Sequence, residues 1–280
     1  MRAMVLGAAG MLGHDLVATA PPEVTLLPFP RAELDITDSR AVAATVVELQ
    51  PDVVINAAAY TAVDQAESET ETAFRVNGAA VGELGRIARA AGARVIHFST
   101  DYVFDGVAAE PYTEESPTNP LSVYGASKLA GETALKASHA QRLIIRTQWL
   151  FGLHGRCFPR TMWQRAMART PSRVVSDQVG RPTYSADLAR ATWTLAAREV
   201  AGVLHVANAG VATWYDVARR VYAACDADQL LQPCSTLEFP APAKRPARAV
   251  LDTARAEQAL GGPLPRWEEA IDRFLAGVQS

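Results

Sequence analysis

Short apolar runs alternate with longer amphipathic segments along the first 150 residues of the chain. The short runs are apolar at consecutive positions and predict strands, whereas the longer segments repeat their apolar residues at helical spacing. The predicted strands are Arg2–Leu6, Val24–Leu27, Asp52–Asn56, Arg94–Ser99 and Leu143–Arg146, and the predicted helices are Met11–Ala20, Ser39–Gln50, Glu69–Ala91 and Tyr124–His139. Strands that are apolar on both faces and alternate with helices are typical of a parallel sheet. The pattern therefore predicts an α/β fold with a Rossmann-like doubly wound parallel sheet.

The pattern changes after Thr147, where proline and tryptophan become frequent and the apolar runs shorten. Here the spacing predicts a late strand at Gly202–Ala207 and helices at Arg160–Arg169, Ala186–Val200, Thr213–Ala224 and Trp267–Val278. Thr213 is a suitable N-cap for the third of these helices. We expect a dinucleotide-binding domain over residues 1–150, with further sheet elements near 186–207. A smaller, interleaved substrate-binding domain is expected over residues 151–280.

Composition narrows the class of protein. The 280 residues include 27 Lys and Arg against 30 Asp and Glu, which gives a net charge of −3 and argues against a nucleic-acid partner. Three cysteines form no CxxC pair, and the five histidines form no HExxH motif, so neither a disulfide framework nor a structural metal is predicted. No apolar run approaches the ~20 residues of a membrane span. We therefore expect a globular cytoplasmic enzyme with no membrane partner.

A glycine-rich turn follows the first predicted strand and opens the first predicted helix. Gly7, Gly10 and Gly13 form a GxxGxxG pattern. Glycine lets the backbone approach a pyrophosphate closely, and the free N–H groups at the start of a helix face its charge. Close strand–helix packing is the competing explanation, but the position directly after the first strand favours a dinucleotide site.

The end of the second predicted strand bears on the choice between NADPH and NADH. A site that prefers NAD usually places an acid there, and this sequence has none before Glu33. It offers Arg31, whose guanidinium suits the 2′-phosphate of NADPH. We therefore favour NADPH, with NADH as the alternative if Arg31 is only a solvated side chain.

A tyrosine and a lysine lie four positions apart at the start of the fourth predicted helix. At this spacing Tyr124 and Lys128 share one helix face, and the ammonium is expected to lower the pKa of the phenol from about 10. Thr100 directly follows the fourth predicted strand, where its hydroxyl can donate to a carbonyl oxygen that Tyr124 protonates. Together the three residues predict a carbonyl-reduction site. An isolated threonine here is more often a strand-end cap, and a chance pair would be an exposed lysine beside a packed tyrosine.

These residues resemble those of the extended short-chain dehydrogenase/reductases and, within them, the dTDP-4-dehydrorhamnose reductase family. The resemblance extends in order along nearly the whole chain. The matching stretches are GAAGMLG (7–13), LDITD (34–38), PDVVINAAAYTAVDQAE (51–67), STDYVFDG (99–106), YGASKLAGE (124–132), IIRTQWLFG (144–152), DQVGRPTYSADLA (177–189) and TWYDVAR (213–219).

The resemblance implies hydride transfer from a reduced nicotinamide to the C4 ketone of dTDP-4-dehydro-β-L-rhamnose, giving dTDP-β-L-rhamnose. It places Thr100, Tyr124 and Lys128 at the catalytic positions. It also implies cofactor contacts in the phosphate turn, after the second strand and after the third strand, from Gly10, Met11, Leu12, Asp35, Ile36, Ala57, Ala59, Tyr60 and Thr61.

Sugar-nucleotide contacts are implied for Thr100, Asp101 and Trp149, although a tryptophan after a buried strand is equally a core residue. Arg181 is a candidate for the diphosphate because a guanidinium binds paired oxygens, with a surface salt bridge as the alternative. Asn77 resembles the helix asparagine that relays protons in many of these reductases, and packing is its alternative.

Three departures from the family pattern put the identity of the sugar in doubt: Gln148 for Ser or Thr, Ser122 for Asn, and Arg248-Ala249 for Asn-Ser. Two alternatives to this function stay open. One is another dTDP-4-keto-6-deoxysugar 4-ketoreductase or an epimerase. The other is a non-catalytic protein that resembles the regulatory subunit of methionine adenosyltransferase. A role for Mg2+ and the formation of a homodimer stay open.

Overall fold

A six-stranded parallel sheet forms the centre of the molecule. The computed structural model describes residues 1–279. Its strands are β1 Arg2–Leu6, β2 Thr25–Phe29, β3 Val53–Asn56, β4 Arg94–Thr100, β5 Arg142–Thr147, β6 Leu150–Phe151, β7 Ser172–Val175, β8 Val179–Gly180, β9 Thr183–Tyr184, β10 Gly202–His205, β11 Ala212–Thr213 and β12 Leu231–Cys234. The order β10-β5-β4-β3-β1-β2 is that of a doubly wound sheet, which confirms the predicted fold class. The other strands form three separate pairs.

Helices cover both faces of this sheet. They are α1 Met11–Ala18, α2 Ser39–Leu49, α3 Val63–Ala66, α4 Thr70–Phe74, α5 Ala80–Ala90, α6 Val123–Ala137, α7 Phe158–Met167, α8 Ser185–Ala197, α9 Trp214–Ala223, α10 Ala254–Leu260 and α11 Trp267–Gln279. Thr213 caps α9 as predicted, in a reciprocal capping box with Asp216.

The prediction of one helix over Glu69–Ala91 is wrong in its continuity. A π-helical turn over Arg75–Ala79 separates α4 from α5. Apolar spacing alone does not reveal such a turn, because the turn inserts one residue without ending the helix. It places the buried side chain of Asn77 opposite the loop that follows β3.

Two apolar cores lie on opposite faces of the sheet because successive side chains of a strand point in opposite directions. Ala3 and Val5 of β1 pack into one core, and Met4 and Leu6 pack into the other. A third core, around Tyr222 and Phe274, lies in the C-terminal half of the chain.

The division into a dinucleotide-binding domain over residues 1–150 and a substrate-binding domain over residues 151–280 stays a proposal. The predicted late strand is β10, which lies at the edge of the six-stranded sheet.

A buried ion pair fastens α6 to the sheet. Arg146 on β5 donates to Glu132 on α6 through its Nε at 2.9 Å and its Nη2 at 2.8 Å. Both side chains are almost fully buried, and His205 lies 3.4 Å from the Nη1 of Arg146. The two parallel bonds fix the rotation of α6 about its axis, which decides where its first turn points.

Glu132→Gln should destabilise the fold strongly because it leaves the Arg146 guanidinium buried without a counter-charge. We expect the free energy of unfolding to fall by about 3–5 kcal/mol in urea denaturation. The control is Glu83→Gln, which removes an exposed ion pair with Arg86 and should change stability little. Equal losses in the two variants would show that the buried pair does not fasten α6.

Candidate active site

The glycine-rich turn has the shape that a pyrophosphate site needs. Gly7 has a φ of +76°, and a Cβ there would lie 2.7 Å from the backbone nitrogen of Ala58. A Cβ on Gly13 would overlap the carbonyl oxygen of Gly7, so α1 packs directly against the turn. Gly10 is the N-cap of α1 and has no side chain to bond the first N–H groups of the helix. These groups are therefore available to an anion, and the residues present fit the dinucleotide cofactor.

The other residues of this turn differ in their surroundings. Leu12 is buried in the core under the sheet, while Met11 is partly exposed beside Gly152. Contacts from Leu12 to a cofactor are thus limited to its backbone.

Arg31 lies after β2 as predicted and is largely exposed. Its Nε donates to Asp35 Oδ2 at 3.0 Å. The pKa of Asp35 is lowered chiefly by the backbone N–H of Thr37, with a smaller contribution from Arg31. Ile36 is buried in the core, so only its backbone can face a ligand.

The loop after β3 is held by Asn77. The backbone N–H of Tyr60 donates to Asn77 Oδ1 at 2.9 Å, and Asn77 Nδ2 donates to the carbonyl of Tyr60 and to Ser127 Oγ, each at 3.0 Å. Every polar atom of this buried amide is thereby used in joining the loop to α6, which favours the packing interpretation of Asn77. The loop positions Ala59 and Thr61 are exposed, and Ala57 is partly buried.

Thr100 and Asp101 lie together at the carboxyl end of β4. The Thr100 hydroxyl donates to Asp101 Oδ1 at 3.0 Å, and the backbone N–H of Tyr102 donates to Thr100 Oγ1 at 3.2 Å. Both side chains are buried. Burial raises the pKa of Asp101 to about 7, although its hydrogen bonds with Thr100 and Gln148 oppose the shift.

Tyr124 lies in the first turn of α6, next to these two residues. A hydrogen bond with Thr100 lowers the pKa of Tyr124, but burial and the charge of Asp101 together raise it to about 12. The shift is opposite to the predicted direction because burial disfavours the phenolate. The Lys128 ammonium is engaged with the backbone, since its Nζ donates to the carbonyl of Phe98 at 2.6 Å. Tyr124 thus keeps its proton at neutral pH, and its raised pKa makes it a weaker acid than an ordinary tyrosine.

Lys128 is buried one helical turn further along α6. Burial lowers its pKa to about 8, and the negative charge of Glu132 acts in the opposite direction. The bond to Phe98 leaves two of the three ammonium hydrogens for other acceptors.

The Trp149 indole lies against the residue that precedes Arg181. Gly180 precedes Arg181, and a Cβ on Gly180 would lie 2.7 Å from Cε2 of Trp149. The Arg181 side chain is partly buried, and no carboxylate within residues 1–279 forms a salt bridge with it. The charges of Glu257 and Asp252 act on this guanidinium, but its buried Nε has no hydrogen-bond partner among the described residues, so a donor is left for an anionic ligand.

The sequence pointed to Gln148 only as a departure from a pattern. Its Nε2 donates to Asp101 Oδ2 at 3.2 Å and to the carbonyl of Ala249 at 3.0 Å, and its Oε1 accepts from the N–H of Leu251 at 3.3 Å. The glutamine side chain, which is longer than serine or threonine, connects Asp101 to the carbonyl of Ala249. Gln148 and the Arg248-Ala249 segment, two of the departures noted in the sequence, are thus in contact.

A second connection that the sequence did not reveal joins Arg245 to Asp64 on α3. Arg245 Nη2 donates to Asp64 Oδ2 at 2.8 Å and Nη1 to Oδ1 at 3.1 Å. The bond joins α3 to the segment that contains the backbone partners of Gln148.

Within residues 1–279, no cluster of three or more His, Cys, Asp or Glu side chains could hold a metal ion. No helix in the same range is long and apolar enough to cross a membrane.

The fold and the site define a dinucleotide-binding α/β reductase of the extended short-chain class, with threonine, tyrosine and lysine at the carboxyl edge of the sheet. Residues 1–280 match the family model described as the RmlD substrate binding domain. The chain belongs to this family.

Similar proteins agree with this placement. The dTDP-4-dehydrorhamnose reductase of Sinorhizobium fredii is 38% identical over 286 residues, which cover 98% of this chain and 97% of the relative. A probable dTDP-4,6-dihydroxy-2-methyloxan-3-one 4-ketoreductase of Streptomyces antibioticus is 41% identical over 277 residues, covering 97% and 93%. The crystal structure of dTDP-4-dehydrorhamnose reductase from Bacillus anthracis in complex with NADP has a TM-score of 0.94 at 36% identity and covers 100% of this chain and 99% of that one.

Asp101→Asn should change how stability depends on pH. Because the pKa of Asp101 is raised in the folded protein, the folded state is penalised progressively as pH rises from 3.8 towards about 7. An asparagine does not ionise, so the variant should gain stability relative to the parent across this window, by up to about 4 kcal/mol. Urea denaturation at both ends of the window measures the difference.

Asp105→Asn is the matched control with the opposite sign. Hydrogen bonds from Tyr112 and Asn119 lower the pKa of Asp105, so its stabilising contribution is present above pH 3.8 and is lost as pH falls. The relative stability of this variant should therefore fall as pH rises. A parallel pH dependence in the two variants would contradict the assignment for Asp101.

Proposed function

We propose that this chain catalyses the NADPH-dependent reduction of the C4 ketone of dTDP-4-dehydro-β-L-rhamnose to dTDP-β-L-rhamnose. The observation that carries the proposal is the arrangement of Thr100, Tyr124 and Lys128 at the carboxyl end of β4, in a chain of the RmlD family. Relatives that cover nearly the whole chain are named for this reaction, and one of their structures was solved with NADP.

When bound, the nicotinamide supplies the hydride that C4 receives. The chain would hold its pyrophosphate at the uncapped start of α1 and its 2′-phosphate at Arg31. The remaining proposed cofactor contacts are Gly7, Gly10, Met11, Leu12, Gly13, Asp35, Ile36, Ala57, Ala59, Tyr60, Thr61, Tyr124 and Lys128.

The proton comes from Tyr124 in this proposal. The phenol is protonated at neutral pH, so it can donate to the C4 oxygen as the hydride arrives. Thr100 orients the same oxygen by a second hydrogen bond. Lys128 has two unassigned ammonium hydrogens, which fit hydroxyl groups of the nicotinamide ribose.

Three other residues are proposed to bind the nucleotide sugar. Arg181 is assigned to the diphosphate because its partly buried guanidinium has no salt-bridge partner among residues 1–279. Trp149 offers an aromatic surface to the sugar, and Asp101 offers a buried carboxyl group for its hydroxyls. The connection between Arg245 and Asp64 supports a cleft bounded by the two proposed domains, 1–150 and 151–280.

Two finer points belong to the same proposal. We place the protein in the cytoplasm because NADPH is supplied inside the cell. A homodimer is the assembly to be tested, and light scattering of the purified chain distinguishes it from a monomer.

One alternative has a specific observation in its favour. The Streptomyces relative, named for reduction of a different dTDP-linked 4-ketosugar, is as similar to this chain as the rhamnose reductases. The contacts of Gln148 with Asp101 and Ala249 lie beside the proposed sugar site and distinguish this chain from the usual family pattern.

The direct test supplies dTDP-4-keto-6-deoxyglucose, a 3,5-epimerase and each nicotinamide cofactor, and identifies the product. Oxidation of NADPH with formation of dTDP-rhamnose is expected. A different reduced sugar would favour the alternative reductase, a redox-neutral product would favour an epimerase, and no NAD(P)H oxidation would overturn the proposal.

Tyr124→Phe should remove the proton donor and lower kcat by about 10²–10⁴-fold. NADPH binding, measured by fluorescence titration, should change little because the phenol contributes only one of many contacts. Tyr112→Phe is the control, since that hydroxyl bonds Asp105 outside the site. A Tyr124→Phe variant as active as the parent would mean that Tyr124 is not the acid.

Arg31→Ala should separate the two cofactors. Loss of the guanidinium is expected to raise KM for NADPH roughly tenfold while KM for NADH stays the same, since only NADPH has the 2′-phosphate. Arg40→Ala, which removes another exposed arginine near the start of α2, is the control. If Arg31→Ala changed KM for NADPH and KM for NADH equally, Arg31 would not determine the choice of cofactor.

A further inference from the structure

Two tryptophans from distant parts of the chain stack on each other. Trp149 follows β5, and Trp214 is the first residue of α9. Their ring centroids are 3.7 Å apart and their planes differ by 12°. Most aromatic pairs have centroids about 4.5–7 Å apart in offset or edge-on arrangements, so these indoles overlap unusually fully.

Trp214 is fixed independently of Trp149. Its indole N–H donates to Gln178 Oε1 at 3.1 Å, and Gln178 Nε2 in turn donates to Thr236 Oγ1 at 3.1 Å. The ring of Phe158 packs edge-on against Trp214, with centroids 4.8 Å apart. The capping box at Thr213 fixes the first turn of α9, so the Trp214 ring is a rigid support.

Trp149, in contrast, has an unfavourable backbone conformation. Its φ of +50° is rare for a bulky residue and persists only where the surroundings enforce it. Its carbonyl accepts from the N–H of Thr183 at 3.2 Å, and Gly180 leaves room for the indole where any Cβ would clash. Part of Trp149 nevertheless stays exposed.

We propose that Trp214 is a positioning residue for substrate binding, whose stacking holds the Trp149 indole at the orientation in which it meets the sugar. The inference rests on the proposed function, which gives Trp149 a sugar to contact. Trp214 itself need not touch the ligand. Its effect is to keep Trp149 in one orientation before the substrate arrives, so that no ordering of that side chain opposes binding.

A purely packing role for Trp214 is the competing explanation, since its ring also borders the C-terminal core. The two explanations differ in what a variant loses. Packing predicts lower stability with unchanged substrate affinity, whereas positioning predicts a rise in KM for the nucleotide sugar with little change in kcat.

The test compares Trp214→Leu with Trp214→Phe. Closely stacked indoles couple their excited states and give a paired band in far-ultraviolet circular dichroism, which either variant should abolish. For Trp214→Leu we expect KM for the nucleotide sugar to rise roughly tenfold, kcat to stay within about twofold and NADPH affinity to be unchanged. Trp214→Phe keeps an aromatic face and should give an intermediate KM.

Trp163→Phe is the matched control, because that indole borders the same core and makes no ring contact with Trp149 among the described residues. It should retain both the paired band and the parental KM. If Trp214→Leu loses the band but keeps the parental KM, the proposal is overturned. If Trp214→Leu fails to fold, the KM of Trp214→Phe for the nucleotide sugar provides the test. A parental KM in Trp214→Phe would contradict the positioning role.

Failure of the proposed function would look different. In that case the parent would show the paired band but would not oxidise NADPH with the sugar. Calorimetric titration of parent and variants with a dTDP-linked sugar then measures binding without turnover. Weaker binding by Trp214→Leu would support positioning, and parental binding would overturn it.

Discussion

The site depends on how α6 docks onto the end of β4. Gly125 lies where any side chain would overlap the carbonyl of Tyr102, so the first turn of the helix sits directly on the chain that leaves the strand. One turn later, Lys128 bonds the backbone of β4 at Phe98. The buried pair of Glu132 and Arg146 completes the attachment. These contacts set both the height and the rotation of the helix, and thereby bring Tyr124 beside Thr100.

Burial at this docking surface shifts three ionisable groups towards their neutral forms. The pKa of Asp101 and that of Tyr124 are raised, and that of Lys128 is lowered. Each shift disfavours the charged form because few polar partners replace the lost water. The phenol is therefore protonated at neutral pH, and a cationic group near Tyr124 would be needed to bring its pKa closer to that range.

The C-terminal half meets the sheet through polar contacts at two points. Gln148 connects Asp101 to the backbone at Ala249 and Leu251, and Arg245 bonds Asp64 beyond β3. Asp101 lies beside Thr100, which bonds it. The C-terminal half is therefore attached next to the residues proposed for the site.

The sequence by itself determined the parallel sheet, the glycine turn and the helical spacing of Tyr124 and Lys128, because these follow from local periodicity and from residues adjacent along the chain. It misjudged the continuous helix over Glu69–Ala91 and the direction of the pKa shift of Tyr124. Only the tertiary structure decided these two features, together with the partners of Gln148 and the stacking of Trp149 on Trp214. These features depend on contacts between residues that are far apart in the chain and on the loss of water when those residues become buried. A local sequence pattern predicts neither the contacts nor the burial.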